Sequence, residues 1–270
     1  PEQLHHPALP RRRLGVAVFA RLPACDSAAL CSADVEGRER VRELLSGKRL
    51  ALLTGAGLST DSGIPDYRGP DAVPRSPMTY QEFVREGASR QRYWARNHIG
   101  WSKLRHAEPN PGHRAAAELE RRGLLTGLIT QNVNRLHEDA GSRNVIDLHG
   151  RYDRVVCLAC QHKYRRHLLA GVLEELNPGF LARATTSGLV EMARDADATA
   201  DDSALISSFV VAACPACGGV VKPDFFYFGE NLPKNRAAAS YARVDAPGSV
   251  PFSGACFAVL HMLLFGRPAA

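Results

Sequence analysis

Short apolar runs alternate with helical stretches through the first half of the chain. Leu50-Ala51-Leu52-Leu53 is apolar throughout and runs into Gly-x-Gly, the pattern of a buried parallel strand feeding a turn. Leu124 to Ile129 and Val145 to His149 read as two further strands. Between them lie helical stretches. His113 to Arg122 is rich in Ala and Glu and is entered at Asn110-Pro111, and Leu136 to Ala140 is a short helix. Val41, Leu44 and Leu45, at helical spacing, predict a helix over 37–47. Residues 66–111 place Pro70, Pro74, Pro77, Pro109 and Pro111 around Tyr80, Phe83, Tyr93, Trp94 and Trp101, which predicts an elaborated loop region with short helices. Phe225 to Glu230 reads as a strand and turn. Strands alternating with helices imply an α/β fold with a Rossmann-like parallel sheet. Residues 151–220 break the rhythm, since a cysteine pair stands near each end of a polar, helical middle. That is the pattern of a small inserted metal-binding module.

Composition narrows the class without deciding it. The 270 residues, 45% hydrophobic and 23% charged, suit a globular chain of one large domain with a small insert. The net charge of +6 comes almost wholly from arginine, with Lys48, Lys103, Lys163, Lys222 and Lys234 the only lysines. Together with abundant Ala and Gly this reads as coding bias, so no nucleic-acid partner is expected. Cys256 to Phe265 is too short to span a bilayer and contains His261, so no membrane partner is expected. Four of the seven cysteines form CxxC pairs, which favours metal and a reducing, cytoplasmic compartment over disulfides. Arg11-Arg12-Arg13 before Leu14 to Ala20 is only a faint secretion signal.

The chemistry sits in an ordered series of motifs. Gly55-Ala56-Gly57-Leu58-Ser59-Thr60 follows the first strand, where glycine lets the backbone approach a pyrophosphate. The usual third glycine is replaced by Thr60, so a plain strand–helix turn is the alternative reading. Gly63-Ile64-Pro65-Asp66-Tyr67-Arg68 adds a cation suited to phosphate and a ring suited to cover a ribose. Gln131 and Asn132, before Val133 and Asn134, end the second strand, the edge where open α/β sheets bind ligands. Their carboxamides offer donors and acceptors to a ribose and an amide-bearing ring, or simply cap a loop. His149 ends the third strand. It suits a general base near neutral pH, or a structural role, and no Ser or Cys nucleophile stands near it in sequence. Cys157-x2-Cys160 and Cys214-x2-Cys217, 53 residues apart, suit one tetrahedral structural Zn2+.

Taken in order, these blocks, with Lys222-Pro223-Asp224 and Phe228-Gly229-Glu230, resemble the sirtuins, NAD-dependent protein-lysine deacylases. The likeness runs from about Leu50 to Glu230. Arg90-Gln91-Arg92-Tyr93-Trp94-Ala95-Arg96-Asn97 and the long cysteine gap look most like the class II branch of mitochondrial and bacterial members, and the composition points to a bacterial source. The resemblance implies NAD as co-substrate, one structural zinc, acyl-lysine proteins or peptides as substrates, and a monomer. Nicotinamide and O-acyl-ADP-ribose would be the products. His149 would be the base. Gly55, Ala56, Gly57, Ser59, Thr60, Gly63, Ile64, Pro65, Asp66, Tyr67, Arg68, Gln131, Asn132, Val133 and Asn134 would hold NAD. Val221, Phe228, Gly229 and Glu230 would flank the peptide. Protein ADP-ribosyl transfer in the same cleft, and an inactive zinc-stabilised fragment, are the alternatives.

Two departures stand out. Asn134 occupies a position where the family usually has Asp, which implies weakened activity. After Asp245 the family's later nucleotide-binding strands and Gly-Ser/Thr-Ser turn are not legible. The expectation is a shifted reading frame, an early end and a sheet left with an exposed edge. The domain reading is therefore an irregular extension over 1–36, a Rossmann-like NAD-binding domain over 37–150, the zinc module over 151–220, a return to the first domain over 221–245, and a non-family tail over 246–270.

Overall fold

The computed structural model describes residues 39, 42–43, 45–66, 78–186, 203–246 and 249–254. Tyr67 and Arg68 lie outside them. So do most of the 1–36 extension and parts of the helix read over 37–47, where Glu39, Arg42, Glu43 and Leu45 are helical.

Four strands form one parallel sheet in the order β3-β2-β1-β7, with β1 at Arg49–Thr54, β2 at Leu125–Thr130, β3 at Val145–Asp147 and β7 at Ser249–Gly254. Leu53, Ile129 and Leu148 are buried on this sheet beside Tyr241 and Val244 of α8, Lys234–Val244. Arg243 of that helix donates to the Thr126 carbonyl at 2.7 Å and to Asn144 Oδ1 at 2.5 Å. The β-rich run at 50–53 fits a strand flanked on both sides, as expected of a buried parallel strand.

The second sheet is antiparallel, in the order β5-β4-β6, with β4 at Gly150–Cys157, β5 at Lys163–Arg165 and β6 at Val221–Phe225. Helices α5 (Arg166–Leu176), α6 (Phe180–Thr186) and α7 (Ser203–Ser207) complete this unit. Two boundaries therefore move. Residues 221–225, read as a return to the first domain, pair with β4 and belong to the smaller sheet. The strand read over 225–230 ends at Phe225, and the turn begins there.

Two further expectations are corrected. The region 66–111 holds α1, Tyr80–Arg85, and an 18-residue helix α2, Gly87–Leu104. Helix α2 buries Tyr93, Trp94, Ala95, Asn97, His98, Ile99, Gly100, Trp101 and Leu104, which lie around most of its circumference. Buried positions spread this widely, with Arg92 and Lys103 still exposed, blur the amphipathic period, so the sequence carried little periodic signal. Phe83, Tyr93, Trp94, Phe180, Phe209 and Tyr227 form the main core between α2 and the small sheet. The second correction concerns the tail. Residues 249–254 lie parallel to β1 in continuous register, Arg49 opposite Ser249 through Thr54 opposite Gly254, so β1 is an inner strand. Strand β7 is at the sheet edge, where the missing N–H of Pro251 is tolerated.

Helix α3, Pro111–Arg121, starts where Asn110-Pro111 indicated. Asn110 Oδ1 accepts from the N–H groups of Gly112 and His113 at 2.9 and 3.2 Å, and proline fills the first helical position.

Candidate active site

Parallel pairing brings the separate motifs to one edge. Thr54 is opposite Thr130, and Thr130 opposite Asp147, so all three strands end together. The Gln131 N–H donates to the Thr54 carbonyl at 2.9 Å, and the Leu148 N–H to the Thr130 carbonyl at 2.8 Å. The glycine turn, Gln131-Asn132 and His149 thus share the carboxyl edge of the sheet, where such folds bind ligands.

The turn after β1 is a 3₁₀ segment, Ala56–Ser62, where a regular helix was expected. Gly63 closes it in the left-handed region at φ 77°, with its N–H returned to Thr60 at 2.9 Å. Ser59 and Ile64 are buried, whereas Gly57, Thr60 and Pro65 are exposed. Asn132 Nδ2 donates to the Gly55 carbonyl at 2.9 Å and to Ser59 Oγ at 3.1 Å, tying the second motif to the first. Asn134 Nδ2 also donates to Ser59 Oγ, at 2.9 Å, while its Oδ1 accepts the Leu136 N–H at 3.2 Å and starts α4, Leu136–Asp139.

His149 is held in a defined tautomer. Its Nδ1 lies 3.1 Å from the Gln131 carbonyl, an acceptor, so the proton sits on Nδ1 and the Nε2 lone pair is open. Burial pushes its pKa below the usual imidazole value, the Gln131 carbonyl opposes this, and Arg236 adds to it. The ring is therefore neutral at physiological pH. Gly150 must be glycine. Its φ is 90°, and a Cβ there would run into the Asp224 carbonyl.

Sequence reasoning missed the supports beneath these groups. His137 Nε2 lies 2.9 Å from Thr54 Oγ1, which donates to Thr130 Oγ1 at 3.0 Å. His113 Nε2 lies 3.4 Å from Ser59 Oγ, and its ring meets that of His137 edge-on at 4.9 Å. Burial lowers the two imidazoles to about 4 and about 3, so both are neutral. Arg135, at φ 65°, pairs with Asp153 at 2.9 Å, and Arg151 bridges Asp153, Asp147 and Glu138. This network fastens the Gln131–Arg135 loop to β4. Within it, burial and then Glu138 push Asp147 up to about 6. No sequence motif marks these pairs, because their members meet only through strand pairing.

The peptide-flanking set divides. The Phe228 carbonyl accepts the Tyr80 N–H at 3.0 Å, Phe228 is 56% exposed, and the Gly229 carbonyl accepts from Gln81 at 3.3 Å. Glu230 holds the turn by accepting from Lys222 Nζ at 3.2 Å and the Tyr227 N–H at 3.0 Å. Val221, by contrast, is 1% exposed within the main core, and its carbonyl accepts from Trp94. It does not line an open cleft, because β6 turns that position inward.

The four cysteines come together, their sulfurs all within 4.8 Å of one another. Cys157 and Cys217 are 3.5 Å apart, and Cys160 and Cys214 3.7 Å. Tetrahedral zinc–thiolate bonds require sulfur separations of about 3.8 Å. Backbone N–H groups of Cys160 and Ala159 draw the Cys157 thiol down, while the neighbouring sulfurs push Cys217 up, as for crowded thiols that share one negative charge. The donor set and spacing fit one structural Zn2+.

The comparisons agree with this geometry. Residues 55–254 match the Sir2 family. The chain belongs to that family. It is 50% identical over 237 residues to NAD-dependent protein deacetylase 1 of Mycobacterium avium (strain 104), covering 87% of this chain and 83% of that protein. It is 42% identical over 246 residues to NAD-dependent protein deacylase SIR4 of Monosiga brevicollis, covering 89% and 77%. A solved Sir2 structure with p53 peptide and NAD+ superposes with a TM-score of 0.52 at 30% identity, covering 76% of this chain and 71% of that one. The Sir2 match reaches Gly254 and so includes β7, which the sequence reading had left in a non-family tail.

Proposed function

We propose that this Sir2-family chain is an NAD-dependent protein-lysine deacylase with His149 as its base. The observation that carries the assignment of the base is the His149 tautomer, with Nδ1–H on the Gln131 carbonyl and Nε2 open at the carboxyl edge of the sheet. A neutral imidazole so held takes a proton from a ribose hydroxyl near neutral pH. NAD, when bound, supplies the nicotinamide–ribose bond whose cleavage drives acyl removal. Buried Gln131 Nε2 has no partner in the protein and fits a carbonyl or hydroxyl of that ligand. Asn132 gives its amide hydrogens to Gly55 and Ser59, which leaves Oδ1 to accept from the ligand. An added Cβ at Gly57 would meet nothing within 4 Å, which suits a backbone open to phosphate.

Phe228 and Gly229 offer the edge along which an acyl-lysine peptide lies as an added strand. The four thiolates support a reducing, cytoplasmic setting. No described helix is long and apolar enough to cross a membrane. We take the working unit to be a monomer acting on proteins and not on nucleic acid.

Incubation with NAD and acyl-lysine peptides tests the assignment. Loss of the acyl mass with matching nicotinamide release, abolished in His149→Ala, is expected. Acyl loss that persists in His149→Ala, or transfer of ADP-ribose to protein without loss of acyl, overturns it.

A further inference from the structure

Arg236 stands in the first turn of α8, with its guanidinium carbon 5.2 Å from the centre of the Phe226 ring. The residue is half-buried, and its Nη1 is buried without a partner. Among the described residues its guanidinium has no ion pair and no hydrogen bond. The acids around it are engaged elsewhere. Asp147 faces Arg151 at 3.4 Å, Glu138 faces Arg151 at 3.4 Å and Arg135 at 3.7 Å, and Glu230 holds Lys222 at 3.2 Å. The first turn of α8 contains no acid, and the exposed Lys234 adds a second cation to it. The face of Phe226 compensates part of the charge. A half-buried guanidinium that keeps a buried, unused N–H otherwise asks for an anionic acceptor.

Its place connects that acceptor to the peptide edge. The Phe226 N–H donates to the His149 carbonyl at 2.9 Å, so the ring beneath Arg236 is tied to the base. The charge of Arg236 acts on both His149 and Asp147. Helix α8 begins directly after the Phe228-Gly229-Glu230 turn, since the N–H groups of Arg236 and Ala237 donate to the Pro233 carbonyl at 3.0 and 3.1 Å. The carbonyls of Phe228 and Gly229 are taken by Tyr80 and Gln81 of α1, so an added peptide strand lies away from α1. Lys222 also approaches Phe226, at 5.7 Å, but it is spent on the carbonyls of Pro223 and Phe225 and on Glu230. Arg236 keeps its donors.

We propose that Arg236 is a specificity residue that takes the carboxylate of an Asp or Glu within two residues of the acyl-lysine in the substrate chain. This rests on the deacylase reading above. The carboxylate accepts from Nη1 while Phe226 backs the guanidinium. A strand advances about 3.3 Å per residue, so a side chain two positions from the acyl-lysine lies about 7 Å along the edge, within reach of one arginine. The acyl group takes no part in this contact, because the acid belongs to the peptide. A water molecule in the same place satisfies the donor but leaves the charge.

The test uses the full zinc-loaded chain and acetyl-lysine peptides that carry Glu or Gln at each position within two residues of the modified lysine. At one position or more, Glu is preferred by at least about threefold in kcat/KM, as for a partly exposed ion pair, and the preference shrinks as salt rises. The ratio between Glu and Gln peptides cancels any effect of Arg236 on His149, because both use the same base. Arg236→Gln removes the preference, Arg236→Lys keeps part of it, and Arg236→Glu reverses it toward a Lys peptide. Fluorescence anisotropy of the labelled peptides reads the same order as binding, without turnover. Should Arg236→Gln fail to fold, loss of the preference at high salt in the natural chain carries the test. Equal handling of Glu and Gln peptides at every position, or a preference that Arg236→Gln leaves unchanged, overturns the inference. So does an Arg236→Gln variant that raises the KM for NAD alone, which would put a cofactor phosphate on Arg236. Absence of turnover with every peptide refutes the deacylase reading instead, and the anisotropy titration still decides the contact.

Discussion

Asn134→Asp is expected to strengthen the site, for a reason that follows from counting donors around Ser59. Three groups surround its hydroxyl: Asn132 Nδ2 at 3.1 Å, Asn134 Nδ2 at 2.9 Å and His113 Nε2 at 3.4 Å. Asn134 cannot turn its oxygen to Ser59, because that oxygen holds the Leu136 N–H. His113 Nδ1 already faces the Asn110 N–H at 3.3 Å, so its own proton belongs on Nε2. A hydroxyl accepts twice and donates once. With two amides accepted, either the His113 proton meets a filled oxygen or it moves to Nδ1 and meets the Asn110 N–H. One hydrogen bond is lost in either case. An aspartate at 134 accepts from both Leu136 and the Ser59 hydroxyl, Ser59 then accepts from Asn132 and His113, and every donor is matched.

An unmet buried donor costs about 1–3 kcal/mol, and hydrogen bonds to a charged acceptor contribute about 1.5–3 kcal/mol. Desolvating a carboxylate opposes this by several kcal/mol. The net expected for Asn134→Asp is about 1 kcal/mol in stability or in transition-state binding, or about fivefold in turnover. Denaturant unfolding and nicotinamide release measure the two. A double-mutant cycle with His113→Ala separates the cause, since removing His113 removes the conflict. Coupling of about 1 kcal/mol is expected, and a value below about 0.5 kcal/mol refutes the account, as does an Asn134→Asp variant that gains in neither assay.

Other outcomes follow from the same structure. The acid limb of the pH–kcat/KM profile should report an apparent pKa below about 6.5, because burial lowers His149, and a limb at or above that value would refute the assignment. His113 and His137 are buried and held near 4 and 3, so the unfolded chain binds more protons below about pH 6.5 and stability falls as the pH drops. The fall approaches roughly 2.7 kcal/mol per pH unit for the two together, read from denaturant midpoints between pH 6 and 4. Zinc analysis should give one ion per chain. A chelator or Cys214→Ser should melt the smaller unit, because Cys157 and Cys214 are part of the main core, and an unchanged unfolding curve would count against a structural metal. Gly150→Ala should cost more than about 3 kcal/mol, since the added carbon strikes the Asp224 carbonyl, and near-normal stability would show that the β4–β6 pairing is misplaced.

The gathering of motifs at the carboxyl edge of the sheet was legible in the sequence, because its parts are contiguous motifs ending short apolar runs. Gly55–Ser59, Gln131-Asn132 and His149 each follow a strand, and parallel strands ending in register bring such positions together. The cysteine pairs were legible for the same reason, since two-residue spacing is dictated by ligation itself. Helix α2 was not, because burial spread over most of its circumference blurs the periodic face. Strand β7 was left in the tail because the family's later motifs are not legible there, and its place at the sheet edge makes Pro251 acceptable within it. Val221 was placed at the peptide edge by the family resemblance, whereas the pairing of β6 with β4 turns it into the core. The three donors on Ser59, the paired histidines and the buried Arg166 between two tryptophans join residues far apart in the chain. Hydrogen-bond direction and burial arise only when those segments pack, so the sequence determined which groups reach the site while the tertiary structure decided how each is protonated, partnered and held.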